Sequence, residues 1–382
     1  MNEIYKLVCP CHFGLESITK NEIYDLGYEI TEVKDGKVYF NGDAEAIARV
    51  NINSRTIERV LLEVARFKAT TFEELFQCVK LIDLKKFLNK NSKFTISKAT
   101  SIRSKLFSTR DIQSITKKAF VDNLMSAFCV DVLPENEKEY KFRINFLNDE
   151  AEILLDTSGD SLHKRGYRLK QGLAPIAENL AAAIILLSNY KKFGKDKFLI
   201  DPFCGSGTIP IEAALISANI APGMNRHFKA EEFENIVNKK IWKEAFIEAK
   251  ENVDYDFLNN KGINIGAYDI DNDIIPIARE NAIRAGVEKL IHFEKRDVKD
   301  LSSKRIRGII ITNPPYGERL EDINSILHLY KSLGDNFKKL PNWMMYVISG
   351  FEDARKYLGK EDKNRKVYNG MIKSYIYMYG IK

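Results

Sequence analysis

The sequence predicts an α/β protein: a doubly wound parallel sheet in the C-terminal part, preceded by a smaller α+β region. Three observations predict this. From about residue 166, short apolar runs alternate with longer helical stretches, the pattern of strands joined by crossover helices. Several of those runs lead into an acid or an amide, namely Asp201, Asp269, Asp297 and Asn313, at the edge where an open sheet binds its ligand. Residues 1–64 instead show a βαββα succession of short elements, which fits a small α+β domain.

The elements follow in order. Residues 4–8 are apolar and β-prone, and residues 14–25 place Leu15, Ile18 and Ile23 at helical spacing. Asp35-Gly36 turns the chain into a strand at Val38-Tyr39-Phe40, and residues 44–51 form a second helix. In the stretch 65–165, residues 72–79 and 84–88 have helical spacing, and 93–99 alternate like a strand. Residues 109–125 are helical, with Ile112, Ile115, Ala119 and Phe120 on one face, and 140–147 with 151–156 make a hairpin. In the stretch 166–382, strands are expected at 198–200, 263–268, 291–293, 308–312 and 344–349. The chain closes on Asn369-Gly370 between two β-prone runs, a strong hairpin signal.

Composition narrows the function classes. Of 382 residues, 45% are hydrophobic and 29% charged, a globular balance. The longest apolar run, 180–187, is too short to span a bilayer, which needs roughly 18 residues. Acids at Glu3, Glu16, Glu22 and Asp25 argue against a signal peptide. Five cysteines do not make a disulfide framework. A cytoplasmic protein with no membrane partner is expected.

Charge distribution points to a polyanion. Residues 85–118 hold ten basic side chains, including Lys98, Arg103, Lys105 and Arg110, against the single acid Asp111. A second cluster, Lys164-Arg165-Gly166-Tyr167-Arg168-Leu169-Lys170, has no acid. Such lopsided clusters suit nucleic acid, because each phosphate contact releases counterions. The plain alternative is a solvated helix face and a linker.

Four motifs sit where the strands end. Asp201-Pro202-Phe203-Cys204-Gly205-Ser206-Gly207-Thr208 opens a helix, and its two glycines let a ligand approach the backbone. A dinucleotide fingerprint would need a third glycine where Pro210 stands, and no Gly-Lys-Ser/Thr follows to make a P-loop. A glycine turn lacking phosphate-binding features suits an adenosyl ligand. Asp269, with Ile270 beside it, follows the next strand and can accept both ribose hydroxyl protons, while Asp271 is placed to cap the following helix. Asp297 can accept from the adenine amine. Helix capping remains the competing role for each of these acids. In Asn313-Pro314-Pro315-Tyr316-Gly317 the prolines stiffen the chain and remove two donors. The Asn313 oxygen and the Pro314 carbonyl are two acceptors beside the flat ring of Tyr316, suited to a planar base with an exocyclic amine.

These elements, in this order, resemble the class I S-adenosylmethionine-dependent methyltransferases that modify amino groups. The resemblance is closer still to the ribosomal RNA large-subunit guanine-N2 methyltransferase L family. His163-Lys-Arg-Gly-Tyr-Arg168, then Ala174-Pro-Ile-Ala-Glu-Asn179, resembles that family's entry into the catalytic domain, and Ile220-Ala-Pro-Gly-Met-Asn-Arg-His-Phe228 its insertion. The resemblance implies a Rossmann-like class I methyltransferase domain at 166–382. It also implies a ferredoxin-like domain at 1–64, where Phe13-Gly-Leu-Glu16 falls, and a THUMP RNA-binding domain at 65–165. Some members carry a second methyltransferase domain, so one activity is carried over.

The implied cofactor is S-adenosylmethionine, held by Asp201, Phe203, Gly205, Gly207, Thr208, Asp269, Ile270, Asp297 and Asn179. Asn313, Pro314 and Tyr316 would be catalytic, and Lys98, Arg103, Lys105, Arg110, Lys164, Arg165 and Arg168 would meet RNA. The implied partner is 23S ribosomal RNA or a large-subunit precursor, with the oligomeric state open and a monomer allowed. No metal is expected: Cys9-Pro-Cys11-His12 has no second pair at a suitable spacing. Cys204 suits a small buried thiol, and Trp242 with Phe246 suits packing. Two other functions stay open: adenine-N6 methylation of DNA or RNA, and a non-catalytic RNA-binding assembly factor.

Overall fold

The fold is that of a computed structural model, which describes residues 3–168, 176–190, 198–260, 262, 264–316 and 323–381. The N-terminal half runs β1 (Tyr5–Pro10), α1 (Glu16–Asp25), β2 (Ile30–Lys34), β3 (Lys37–Gly42), α2 (Ala44–Asn53) and β4 (Leu61–Lys68). It continues through α3 (Phe72–Lys80), β5 (Lys93–Ile102), α4 (Thr109–Phe128), β6 (Glu139–Leu147) and β7 (Glu150–Asp156). Caps set several boundaries. The side chains of Asp43, Thr71 and Ser108 accept from the backbone N–H of Ala46, Glu74 and Asp111, satisfying donors that helices α2, α3 and α4 leave unpaired.

Seven strands form one sheet in the order β2-β3-β1-β4-β7-β6-β5. All neighbours are antiparallel except β5 and β6, which α4 joins as a parallel crossover. Strand β4 spans the expected 64/65 boundary, pairing with β1 on one side and β7 on the other. The two expected N-terminal domains therefore share a sheet. The stretch expected to be helical at 84–88 is a short 3-10 turn, Leu84–Lys86.

The C-terminal half runs α5 (Glu178–Leu187), β8 (Phe198–Asp201), α6 (Thr208–Ser217), α7 (Lys239–Glu251), β9 (Ile265–Asp269), β10 (Ile291–Lys295) and β11 (Gly308–Thr312). Strands β12 (Trp343–Ser349), β13 (Lys363–Asn369) and β14 (Ile372–Tyr379) follow. The strand order is β10-β9-β8-β11-β12-β14-β13, parallel apart from the closing hairpin. Strand β8 lies at the point where the order reverses, where doubly wound sheets open a crevice. All five residues of β11 are buried, as befits a strand covered on both faces. No described helix is long and apolar enough to cross a membrane.

The segment between α6 and β9 leaves the C-terminal sheet and joins the core of the N-terminal half. Phe233 stacks on Tyr140 with ring centroids 4.1 Å apart, and Phe228 stacks on Trp242 at 5.3 Å. Arg49 of α2 forms a two-pronged ion pair with Glu248 of α7, both contacts at 2.7 Å. Gly223 donates to the Ile52 carbonyl at 2.9 Å, and a Cβ there would come within 2.7 Å of the Ile52 Cα, so this approach needs glycine. Trp242 and Phe246 pack as expected, and they do so on the N-terminal half.

Candidate active site

The parallel order places four strand ends in a row: Asp297 beyond β10, Asp269 on β9, Asp201 on β8 and Asn313 after β11. Adjacent strands lie about 4.8 Å apart, so the row is about 14 Å long, the reach of an extended adenosyl amino acid. The glycine turn follows β8 at the centre of the row.

Hydrogen bonds fix that turn. Asp269 Oδ2 accepts from the Gly205 N–H at 2.9 Å, and Cys204 N–H donates to the Tyr268 carbonyl at 2.9 Å. Gly205 and Gly207 both have positive φ, at 51° and 88°. A Cβ on Gly205 would meet nothing within 4 Å, so the outer face of the turn is open. A Cβ on Gly207 would lie 3.2 Å from the Ala278 Cβ, so Gly207 seats the turn on the neighbouring helix. Asp269 Oδ1 accepts from Asp271 N–H at 3.0 Å, but each carboxylate oxygen keeps a further lone pair for a ligand. Exposed Ile270 offers an apolar surface next to it. This cradle fits an adenosyl ligand.

The other acids divide differently. Asp201 is 1% exposed, so it acts from beneath the turn. Its Oδ1 accepts from Thr312 Oγ1 at 2.6 Å and from Phe203 N–H at 3.1 Å, tying the ends of β8 and β11 together. Burial, helped by the nearby charge of Asp269, pushes its carboxyl up to about 7. Asp297 caps a short turn, accepting from Lys299 N–H at 2.9 Å, the capping role that competed for it. Asp271 accepts from Asp273 N–H at 2.8 Å, just before the helix Ile274–Arg284. Asn179 is buried, and its Oδ1 lies 3.1 Å from His12 Nε2 in the N-terminal half. Phe203 is partly buried, and Thr208 is the first residue of α6.

Beyond β11, Asn313 is partly exposed and Pro314 is buried. The Tyr316 hydroxyl donates to Asn313 Oδ1, so the side-chain acceptor is engaged within the motif itself. Asn369 Nδ2 reaches the same hydroxyl at 3.4 Å, and burial pushes the Tyr316 phenol up to about 12. Tyr330 donates to the Pro315 carbonyl at 3.4 Å. Sequence reasoning missed Asn369, which spoke only as a turn former. Gly317, Leu169, Lys170, Ala174 and Pro175 of the expected motifs lie outside the described residues.

The basic residues separate into two groups. Lys98 on edge strand β5, Arg103 and Lys105 in the connection to α4, and Arg110 in the first turn of α4 are exposed, and Lys164 is exposed as well. Phe107, missed in the sequence, stands 82% exposed among them. Arg165 and Arg168 correct the expectation of an RNA-facing pair. Arg165 is 4% exposed, lies 3.5 Å from fully buried Glu212, and donates to the carbonyls of Leu162 and Arg55. Arg168 lies 3.2 Å from Glu178 and donates to Thr208 Oγ1 at 2.6 Å and to the Ile176 carbonyl at 3.1 Å. These guanidiniums hold α5 and α6 in place behind the turn.

Comparisons with known proteins agree with this architecture. Residues 165–377 match the family described as "RMKL-like, methyltransferase domain", residues 6–61 the "RlmL ferredoxin-like domain", and residues 69–156 the "THUMP domain". The chain is 44% identical over 381 residues to the "Putative RNA methyltransferase YpsC" of Bacillus subtilis (strain 168), covering 99% of this chain and 96% of that protein. It is 34% identical over 370 residues to the "Ribosomal RNA large subunit methyltransferase K/L" of Syntrophotalea carbinolica (strain DSM 2380 / NBRC 103641 / GraBd1), covering 94% of this chain and 51% of that protein. The chain thus spans about half the length of the K/L relatives it matches. A crystal structure described as "SMU.472, a putative methyltransferase complexed with SAH" superposes with a TM-score of 0.90 at 40% identity, covering 100% of both chains. With the match spanning residues 165–377 and the strand order its fold requires, the chain belongs to the RMKL-like methyltransferase family.

Proposed function

We propose that this protein is an S-adenosylmethionine-dependent RNA methyltransferase acting on the exocyclic N2 of guanine in 23S ribosomal RNA. The observation that carries the reading is one body holding both an Asn-Pro-Pro-Tyr motif at a strand end and an exposed basic edge on a THUMP domain. The bound SAH of the neighbouring structure supports the cofactor, and the names of the relatives support RNA.

Asp269 would accept the two ribose hydroxyl protons, with Ile270 against the adenine and Asp297 accepting from its amine. Gly205 and Gly207 would let the ligand lie close to the backbone, with Asp201, Phe203 and Thr208 shaping the turn. Asn179, implied by the family resemblance, would border the site from the start of α5. When bound, S-adenosylmethionine supplies an electrophilic methyl on a sulfonium. The guanine N2 lone pair is delocalised into the ring, so alignment matters more than a strong base. Asn313 Oδ1 and the Pro314 carbonyl would accept the two amine protons and draw the nitrogen towards tetrahedral geometry. So aligned, the nitrogen would take the methyl as the carbon–sulfur bond breaks, and one amine proton would pass to water. The target base must leave its stack, and the Tyr316 ring would hold it. Its arrival replaces the Tyr316 hydroxyl on Asn313. Lys98, Arg103, Lys105, Arg110 and Lys164 would take phosphates.

The test offers methyl-labelled S-adenosylmethionine with separated 23S rRNA, 16S rRNA and tRNA from a strain lacking the gene. Label in 23S rRNA alone is expected. Label in tRNA or 16S rRNA alone contradicts the substrate.

A further inference from the structure

The hairpin β13–β14, expected from Asn369-Gly370 between two β-prone runs, borders the catalytic motif. Asn369 at its tip touches the Tyr316 hydroxyl, and the residue before it, Tyr368, stands 39% exposed. The ring of Tyr368 meets that of Phe13, from the loop after β1, edge to face with centroids 6.3 Å apart. Phe13 is itself 40% exposed. The two rings come from opposite halves of the molecule, and the junction is built closely. His12 bonds to Asn179, Arg365 donates to the Gly14 carbonyl at 3.1 Å, and a Cβ on Gly14 would collide with the Lys366 carbonyl.

Charge surrounds the rings. Residues 363–373 contain Lys363, Arg365, Lys366 and Lys373 and no acid. Lys366 Nζ lies 5.4 Å from the Tyr368 ring centre, and Lys373 is the cross-strand partner of Tyr368. No described carboxylate pairs with Lys366 or Lys373. Lys373 Nζ itself lies 5.6 Å from the Tyr375 ring centre, and packing alone does not require two half-exposed aromatic rings beside cations that meet no described carboxylate. Sequence-tolerant single-strand binding does, because every base has a face to stack and a phosphate beside it.

We propose that Phe13 and Tyr368 form a stacking platform for an unpaired nucleotide flanking the target base, with Lys366 and Lys373 taking the adjacent phosphates. This rests on the RNA reading of the active site and deepens it. The platform acts only when the two halves are docked, so it couples RNA capture by the N-terminal half to the base presented at Asn313.

The experiment measures binding of a fluorescein-labelled single-stranded RNA of random sequence by anisotropy, using the full chain at low salt. Stacking on an aromatic ring is worth about 1–3 kcal/mol per base, so Phe13→Ala with Tyr368→Ala should weaken binding by about fivefold or more. Tyr368→Phe, which keeps the ring, should bind within twofold of wild type. S-adenosylmethionine affinity and thermal midpoint should stay unchanged in all variants. RNA affinity within twofold of wild type in the double variant overturns the platform. So does a parallel loss of cofactor affinity, thermal midpoint and RNA affinity in the double variant, because it assigns the rings to packing. A wild-type protein that binds RNA through these rings but methylates no RNA keeps the platform and sinks the methyl-transfer reading.

Discussion

Asn313 carries the chemistry proposed here, and its replacement is the sharpest single-residue test. Asn313→Ala removes one of two acceptors for the amine protons while leaving the glycine turn intact. Turnover should fall by about 10² or more with cofactor affinity unchanged, as single-turnover kinetics and calorimetry would show. Normal turnover would remove Asn313 from the mechanism. Asp201 makes a second prediction. Its carboxyl is raised from 3.8 to about 7, so the folded chain binds a proton that the unfolded chain has released. Its contribution to stability is therefore lost as pH rises from about 4 to about 7, at about 1.4 kcal/mol per pH unit while that proton difference is complete. Asp201→Asn keeps the acceptor oxygen and should flatten this component of the thermal midpoint against pH. An unaltered pH profile would contradict it. At this scale the site was partly legible. Strand-end acids and Asn-Pro-Pro-Tyr are local patterns, so their positions followed from spacing. The burial of Arg165 did not, because its partner Glu212 is 47 residues away and a run of guanidiniums looks the same whether it faces phosphate or a buried carboxylate.

Elements were more legible than their boundaries. Helix α4 and strand β6 emerge from periodicity because each buries one face, whereas β7 reads as a short apolar run because it is buried on both. Strand β4 escaped because Glu63, Ala65 and Arg66 break its alternation, and its pairing with β7 shifts register between Glu63 and Ala65. Arg66 there is consumed by Glu63 and Glu152 at 2.8 and 2.7 Å. The contrast between buried and exposed basic residues gives an element-scale prediction. Arg168 braces the start of α6 through Thr208 and pairs with Glu178, whose carboxyl is pushed up by burial against the opposing charge of Arg168. Arg168→Ala should weaken cofactor binding at least tenfold and leave the salt slope of RNA binding unchanged. Lys105→Ala should do the reverse, lowering that slope by about one while cofactor affinity holds. Equal slopes for both variants would remove Lys105 from the RNA face.

At the scale of the whole molecule, the segment between α6 and β9 decides how the halves sit. The sequence marked it as an insertion but gave no partner, because its apolar residues pack on side chains far away in the chain. The structure seats it on α2 and β6, so the distance from the basic edge to Asn313 is fixed by buried packing rather than by a linker. A fragment of residues 1–165 should then expose the surface that Phe228, Phe233 and Trp242 cover. It should bind a hydrophobic dye strongly, whereas the full chain should not. A fragment that stays monomeric and dye-negative would show that the halves fold independently.

The central claim is the acceptor atom, and one measurement reaches it. Large-subunit RNA from a strain lacking the gene is incubated with the protein and methyl-labelled S-adenosylmethionine, digested to nucleosides and resolved by mass spectrometry. The label should appear in N2-methylguanosine; label in N6-methyladenosine instead would contradict the account.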